Sequence, residues 1–109
     1  MKGMGNLNKI MKQAQKMQTE MARVQEELAS LEVEAASGGG AVTVKMNGKQ
    51  EMLSLKIKPE AVDPDDVEML EDMILAAYRE ARSRSEEIAQ EEMAKVTGGL
   101  GGGGLPGLF

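Results

Sequence analysis

From Leu7 to Leu31 the apolar residues fall at Leu7, Ile10, Ala14, Met17, Met21, Val24, Leu28 and Leu31, spaced 3, 4, 3, 4, 3, 4 and 3. This is the a/d repeat of a helix that buries one stripe against another helix. It predicts a first helix over Asn6–Leu31, with Asn6 as its N-cap. At 1.5 Å per residue such a helix spans roughly 35–40 Å. No short hairpin covers that length, so the seam demands a second helix, from the same chain or a partner. The molecule must be elongated.

At Leu31 the period changes. In LEVEAAS, Leu31, Val33 and Ala35 alternate with Glu32, Glu34 and Ala36, which predicts a first strand over Leu31–Ser37. Gly38-Gly39-Gly40 then supplies a turn, with no Lys-Ser/Thr pair or helix start behind it to suggest a phosphate loop. Ala41–Lys58, AVTVKMNGKQEMLSLKIK, reads as a hairpin around Asn47-Gly48, the dipeptide best suited to a two-residue type I′ turn. That register sets Met46 opposite Lys49, Val44 opposite Glu51 and Val42 opposite Leu53. Val42, Val44, Met46, Leu53, Leu55 and Ile57 then share an apolar face, the candidate core and dimer surface. Thr43, Lys45, Gln50, Ser54, Lys56 and Lys58 share the other. A lone hairpin is marginal in water and needs a cover.

Lys58-Pro59 ends the last strand. Asp63-Pro64-Asp65-Asp66 opens a second helix, with Asp63 as cap and Pro64 at the first helical position. The acids suit the helix start better than a metal site. Val67, Leu70, Ile74, Ala77 and Ala81 form its stripe, which thins to Ile88, Ala89, Met93 and Val96. Gly98-Gly99 is expected to stop it. The sequence thus predicts one α-β-β-β-α domain over 1–97 and a flexible Gly-rich tail over 98–109. The tail's GxGxxG, Gly99 to Gly104, has no strand before it. The fold class is α+β: helix, three-stranded antiparallel sheet, helix, with the two helices antiparallel and projecting past the sheet. A three-stranded sheet leaves edges and an apolar face poorly covered, and a symmetric homodimer is the simplest closure.

Composition narrows the function. There is no Cys and no His, which removes disulfides, Cys/His zinc sites and the usual general base. No cofactor, metal site or small-molecule substrate is indicated. The ten Met residues replace the missing aromatics as gap fillers of a helical seam. No stretch approaches a membrane span, and no signal-type run opens the chain, so a soluble cytoplasmic protein with no membrane partner is expected. Net charge is −5, yet residues 1–24 carry Lys2, Lys9, Lys12, Lys16 and Arg23 against Glu20 alone, a net +4 that leaves −9 on the rest. With the helices antiparallel, Lys2, Lys9, Lys12, Lys16 and Lys95 gather at the tip far from the sheet. Glu86, Glu87, Glu91 and Glu92 lie there too and offset part of that charge, some by pairing with the lysines. A solvated, salt-bridged stalk is the plain reading of such a pattern. Lys45, Lys56 and Lys58 form a second basic patch that suits solubility or edge protection.

NLNKIMKQAQKMQTEM, SGGGAVTVKMNGKQEMLSLKI, LEDMILAAYREA and the closing LPGLF, in this order, resemble the YbaB/EbfC family of bacterial nucleoid-associated proteins. The resemblance covers essentially the whole chain, and GGGAVTVKMNG followed by LEDMILAAYREA is its specific part. It implies a helix–sheet–helix subunit, a homodimer with protruding helices, and binding of double-stranded DNA with little sequence preference in the nucleoid. It further implies effects on chromosome organisation and gene expression. The family's grip between projecting helices maps here to Lys9, Lys12 and Lys16, with Lys95 beside them. The residues leave two other readings open: a Met-rich helical scaffold for a protein partner, and an enzyme, for which no acid sits in a recognisable motif.

Overall fold

The computed structural model describes residues 2–101, and the side chains of 5–98. Helix α1 (Lys2–Ser30) leads into strand β1 (Glu32–Ser37), a 3-10 turn (Gly38–Gly40), β2 (Val42–Asn47) and β3 (Met52–Ile57). A second 3-10 turn (Pro59–Ala61) precedes helix α2 (Val67–Gly101). The sheet is antiparallel in the order β1-β2-β3. The α+β class and the element order therefore agree with the sequence reading.

Helix ends differ from it. α1 starts at Lys2, ahead of Asn6, where no proline interrupts the run. The cap of α2 is Asp66, not Asp63: its Oδ1 accepts the Met69 amide at 3.2 Å. Asp63 instead organises the preceding turn, its Oδ1 accepting the Asp65 amide and its carbonyl the Asp66 amide. At the far end α2 continues through Gly98-Gly99 to Gly101. Of the expected tail, residues 102–109 lie outside the described residues.

The hairpin is real but its loop is wider than two residues. The Asn47 amide donates to the Glu51 carbonyl at 2.9 Å, and Gln50 closes the loop at φ 62. This is a three-residue connection whose last residue is left-handed. The Asn47 side chain braces it: Oδ1 accepts the amides of Lys49 and Glu51, and Nδ2 donates to the Glu51 carboxylate. The register moves accordingly. Val42 lies opposite Ile57, Val44 opposite Leu55 and Met46 opposite Met52, with an irregularity between Lys45 and Met46. Val42 was expected opposite Leu53, so the shift there is four residues. An even shift keeps Leu55 and Ile57 on the face of Val42 and Val44, while Leu53 falls at the irregularity.

α2 lies across β1 and β2 and leaves β3 almost untouched. Val33, Ala35, Val42, Val44 and Met46 are buried beneath Ala77 and Ala81, whose small side chains let the helix sit close to the sheet. Of the six residues predicted to face the core, Val42, Val44 and Met46 are fully buried and Ile57 lies at the margin. Leu53 and Leu55 do not belong to this core: they are 49% and 39% exposed, because the helix axis passes over the other two strands. A second cluster joins the helices, Val24 and Leu28 of α1 against Val96, Ala89 and Met93 of α2. Only this part of the a/d stripe is covered. The described molecule measures 77 × 23 × 16 Å with a radius of gyration of 21.0 Å, against roughly 13 Å for a compact chain of this length.

Candidate nucleic-acid interface

Beyond Glu20, α1 runs on as an arm. Its apolar residues Leu7, Ile10 and Met11 are each more than half exposed. Lys9, Lys12 and Lys16, spaced 3 and 4, form an exposed basic stripe on the opposite side of the helix. Lys9 and Lys12 are separated by about 4.5 Å along the axis and Lys12 and Lys16 by about 6 Å.

These three ammonium groups have no ion-pair partner among the described residues, whereas four other helical cations do. Arg23 is held by Glu20 at 2.7 Å and by Glu27. Hydrogen bonding to Glu20, then the two carboxylate charges, raise its pKa above the ordinary guanidinium value. Arg82 pairs with Glu86 and Arg84 with Glu80, both at 2.8 Å. Lys95 meets Glu92 at 3.0 Å, and that hydrogen bond, then the Glu92 charge, raises its pKa. Glu86 and Glu92 are therefore matched within α2, one turn away, rather than by the lysines of the arm. Intrahelical pairing is geometrically easier than pairing across two long solvated helices.

The predicted site residues thus separate. Lys9, Lys12 and Lys16 share one open face. Lys95 stands with Lys16, Glu20, Arg23 and Glu92 along the groove between α1 and α2, its charge partly matched. The Lys2 side chain lies outside the described residues. Lys56 and Lys58 flank Thr43 and Gly40 at the sheet, remote from the arm. An exposed rod of unmatched cations can contact a repeating anionic backbone.

Two supporting contacts were invisible in the sequence. Ser85, fully buried in α2, donates from Oγ to the Asn47 carbonyl at 2.6 Å and accepts from the Gln50 amide and side chain. The Gly48 amide donates to the Leu28 carbonyl at 2.8 Å. Together they fasten both helices to the hairpin loop and fix the direction in which the arm leaves the sheet. The only hint of Ser85 in the sequence is its position four residues past Ala81, where the stripe of α2 would continue.

Among solved structures, the fold is similar to that of an uncharacterized protein from Helicobacter pylori, with a TM-score of 0.66 over 72% of this chain and 82% of that one at 24% identity. Curated relatives are closer in sequence. A protein of Acetivibrio thermocellus named a nucleoid-associated protein is 58% identical over 105 residues, 96% of this chain and 91% of its own. One of the same name from Alkaliphilus metalliredigens is 55% identical over 109 residues, 100% of this chain and 93% of its own. The family model described as the YbaB/EbfC DNA-binding family matches residues 4–100, from the arm to the end of α2. With helix, sheet and helix in the order that match spans, the chain belongs to the YbaB/EbfC DNA-binding family.

Proposed function

We propose that this protein is a homodimeric, nucleoid-associated protein of the cytoplasm. It binds double-stranded DNA with little sequence preference, and in doing so affects nucleoid organisation and gene expression. No catalytic step is part of this reading. The observation that carries it is the unmatched basic stripe of Lys9, Lys12 and Lys16 on the exposed arm, in a chain of a DNA-binding family. Lys2 and Lys95 are proposed as secondary contacts, Lys95 the weaker because Glu92 already holds it.

The chemistry supports backbone rather than base recognition. With one Tyr, one Phe and no Trp, the chain lacks a stacking platform for single strands. The lysines are point charges suited to phosphates. Binding is therefore an exchange of condensed counterions, and it weakens steeply with salt. Three phosphates per arm give a slope of log affinity on log salt of about −3, and two arms acting together about −5.

Fluorescence anisotropy of duplexes of unrelated sequence across a salt series tests this. Similar affinities for all duplexes and a slope in that range are expected. The variant Lys9→Glu/Lys12→Glu/Lys16→Glu should lose about 10-fold or more in affinity and most of the slope. If it folds, dimerises and binds as wild type does, the arm is not the DNA site.

A further inference from the structure

The arm of α1 has two faces of different chemistry, and phosphate contacts use only one. At about 100° per residue, Lys9, Lys12 and Lys16 lie on the side opposite Leu7, Ile10 and Met11. Lysines laid on a duplex therefore turn the apolar stripe away from it. Leu7, Ile10 and Met11 are each more than half exposed on that stripe, and Ala14 beside them is exposed too.

The stripe continues a seam that is already packed helix on helix. Val24 and Leu28 lie against Ala89, Met93 and Val96 of α2, and Leu7, Ile10, Ala14 and Met17 keep the same 3, 4, 3 spacing. Such a spacing fits another helix. The positions flanking the seam within the arm are Asn6, Met11, Gln13 and Gln18, none of them charged. The seam is therefore compatible with a copy of itself: the lysines sit at outer positions, and no like charges face one another across the contact. The direction of pairing follows from α2, which stops at Gly101, about 7.5 Å past Val96, and occupies the seam side at the base of the arm. Parallel arms would drive one α2 against the other. Antiparallel arms set Leu7 against Met17 and Ile10 against Ala14, with each body beyond the other's tip.

We propose that the arms of two copies of this chain, each held on its own duplex by its lysines, pair antiparallel through Leu7, Ile10, Ala14 and Met17 and so bridge the two duplexes. The inference rests on the reading of Lys9, Lys12 and Lys16 as the DNA contact, and adds a use for the opposite face. The paired arms form a two-helix rod about 20 Å thick with a lysine stripe on each outer side. So short a seam is weak between free molecules. Arms crowded along DNA meet at a raised effective concentration, up to about the millimolar range for closely held modules, so pairing follows DNA binding.

A capture assay tests this. One duplex is fixed to beads, and a second of unrelated sequence carries a fluorophore. With wild type, the beads should retain at least about five-fold more labelled duplex than without protein. Leu7→Gln/Ile10→Gln should lose most of that capture, yet bind a single duplex in anisotropy within about two-fold of wild type, because both residues face away from the phosphate contacts. Lys9→Glu/Lys12→Glu/Lys16→Glu should lose both. The chain has no native cysteine, so Ile10→Cys/Ala14→Cys should give disulfide-joined pairs of chains on mild oxidation with duplex present. Within one helix these side chains start about 5–6 Å apart at Cβ, too far for a disulfide. Circular dichroism confirms the helix content of each variant. Capture by Leu7→Gln/Ile10→Gln at the wild-type level overturns the proposal, since bridging would then run through a contact other than the seam. So does a wild type that binds single duplexes and captures no second one, or a cysteine variant that stays unjoined on DNA. A wild type that binds no duplex in anisotropy fails the DNA reading itself, and the inference with it.

Discussion

Gly48 shows how a single residue can carry a signal for one property and serve another. Asn-Gly marks a hairpin because glycine accepts positive φ, yet Gly48 does not adopt it, and Gln50 does. What Gly48 supplies is room. A Cβ there would lie 2.8 Å from the Leu28 carbonyl oxygen and 2.9 Å from Leu28 Cδ2. Gly48→Ala must therefore push the last turn of α1 away from the loop. The expected cost is about 1–3 kcal/mol, as for other overpacked sites. The Tm should fall by about 4–8 °C per kcal/mol for a domain of this size, read by thermal melts at fixed protein concentration. An unchanged Tm would mean that this close approach does not hold α1. The same neighbourhood explains why the dipeptide alone does not give the loop. The turn dipeptide is a local signal, whereas the register is set by Asn47, by Ser85 from α2 and by Leu28 from α1. The last two are remote in sequence, and a serine inside a helix carries no mark of a buried partner.

At the level of elements, the period of the apolar residues located both helices and all three strands, because 3.6 and 2 are backbone properties. It could not say which stretch of each stripe would be covered. The a/d stripe of α1 is continuous from Leu7 to Leu31, but burial follows the length of α2, and only Val24 and Leu28 are fully enclosed. Likewise the apolar face of the sheet was legible while the path of α2 over β1 and β2 was not. That path leaves the two sheet edges unequal. On β1, Arg84 donates to the Glu34 carbonyl at 2.6 Å, and Glu32 and Glu34 add charge. β3 has Met52, Leu53 and Leu55 exposed and no such cover. An open apolar edge favours pairing and a charged, capped one opposes it. If β3 is where two subunits meet, Leu55→Asp should lower the solution mass toward that of one chain in high salt, and Glu34→Lys on β1 should not. Light scattering at several concentrations distinguishes these outcomes. A Leu55→Asp protein of unchanged mass would place the subunit contact elsewhere.

Across the whole molecule, charge and shape act together. A net charge of −5 would ordinarily repel DNA, but the Debye length at physiological salt is about 8 Å and the molecule is 77 Å long. A phosphate at the arm therefore meets Lys9, Lys12 and Lys16 and not the acids at the start of α2. The local balance decides, which is why the division of charge along the sequence was more informative than its sum. The same division gives a pH prediction. The chain has no His and no Cys, and the other side chains ordinarily titrate near 4 or at 10 and above. Lys95 has its pKa raised by Glu92, so it keeps its proton to higher pH than an isolated lysine and not to lower. Between about pH 6 and 9, where imidazoles and thiols ordinarily titrate, the chain has neither. Affinity for a duplex at constant ionic strength should therefore vary by less than about 3-fold over that interval. Anisotropy titrations in buffers of matched ionic strength measure this directly. A loss of tenfold or more centred near pH 6.5, where an imidazole would titrate, or near 8.5, where a thiol would, cannot arise from this chain's side chains. Such a loss would mean that the contacts to DNA are not made by the lysine stripe.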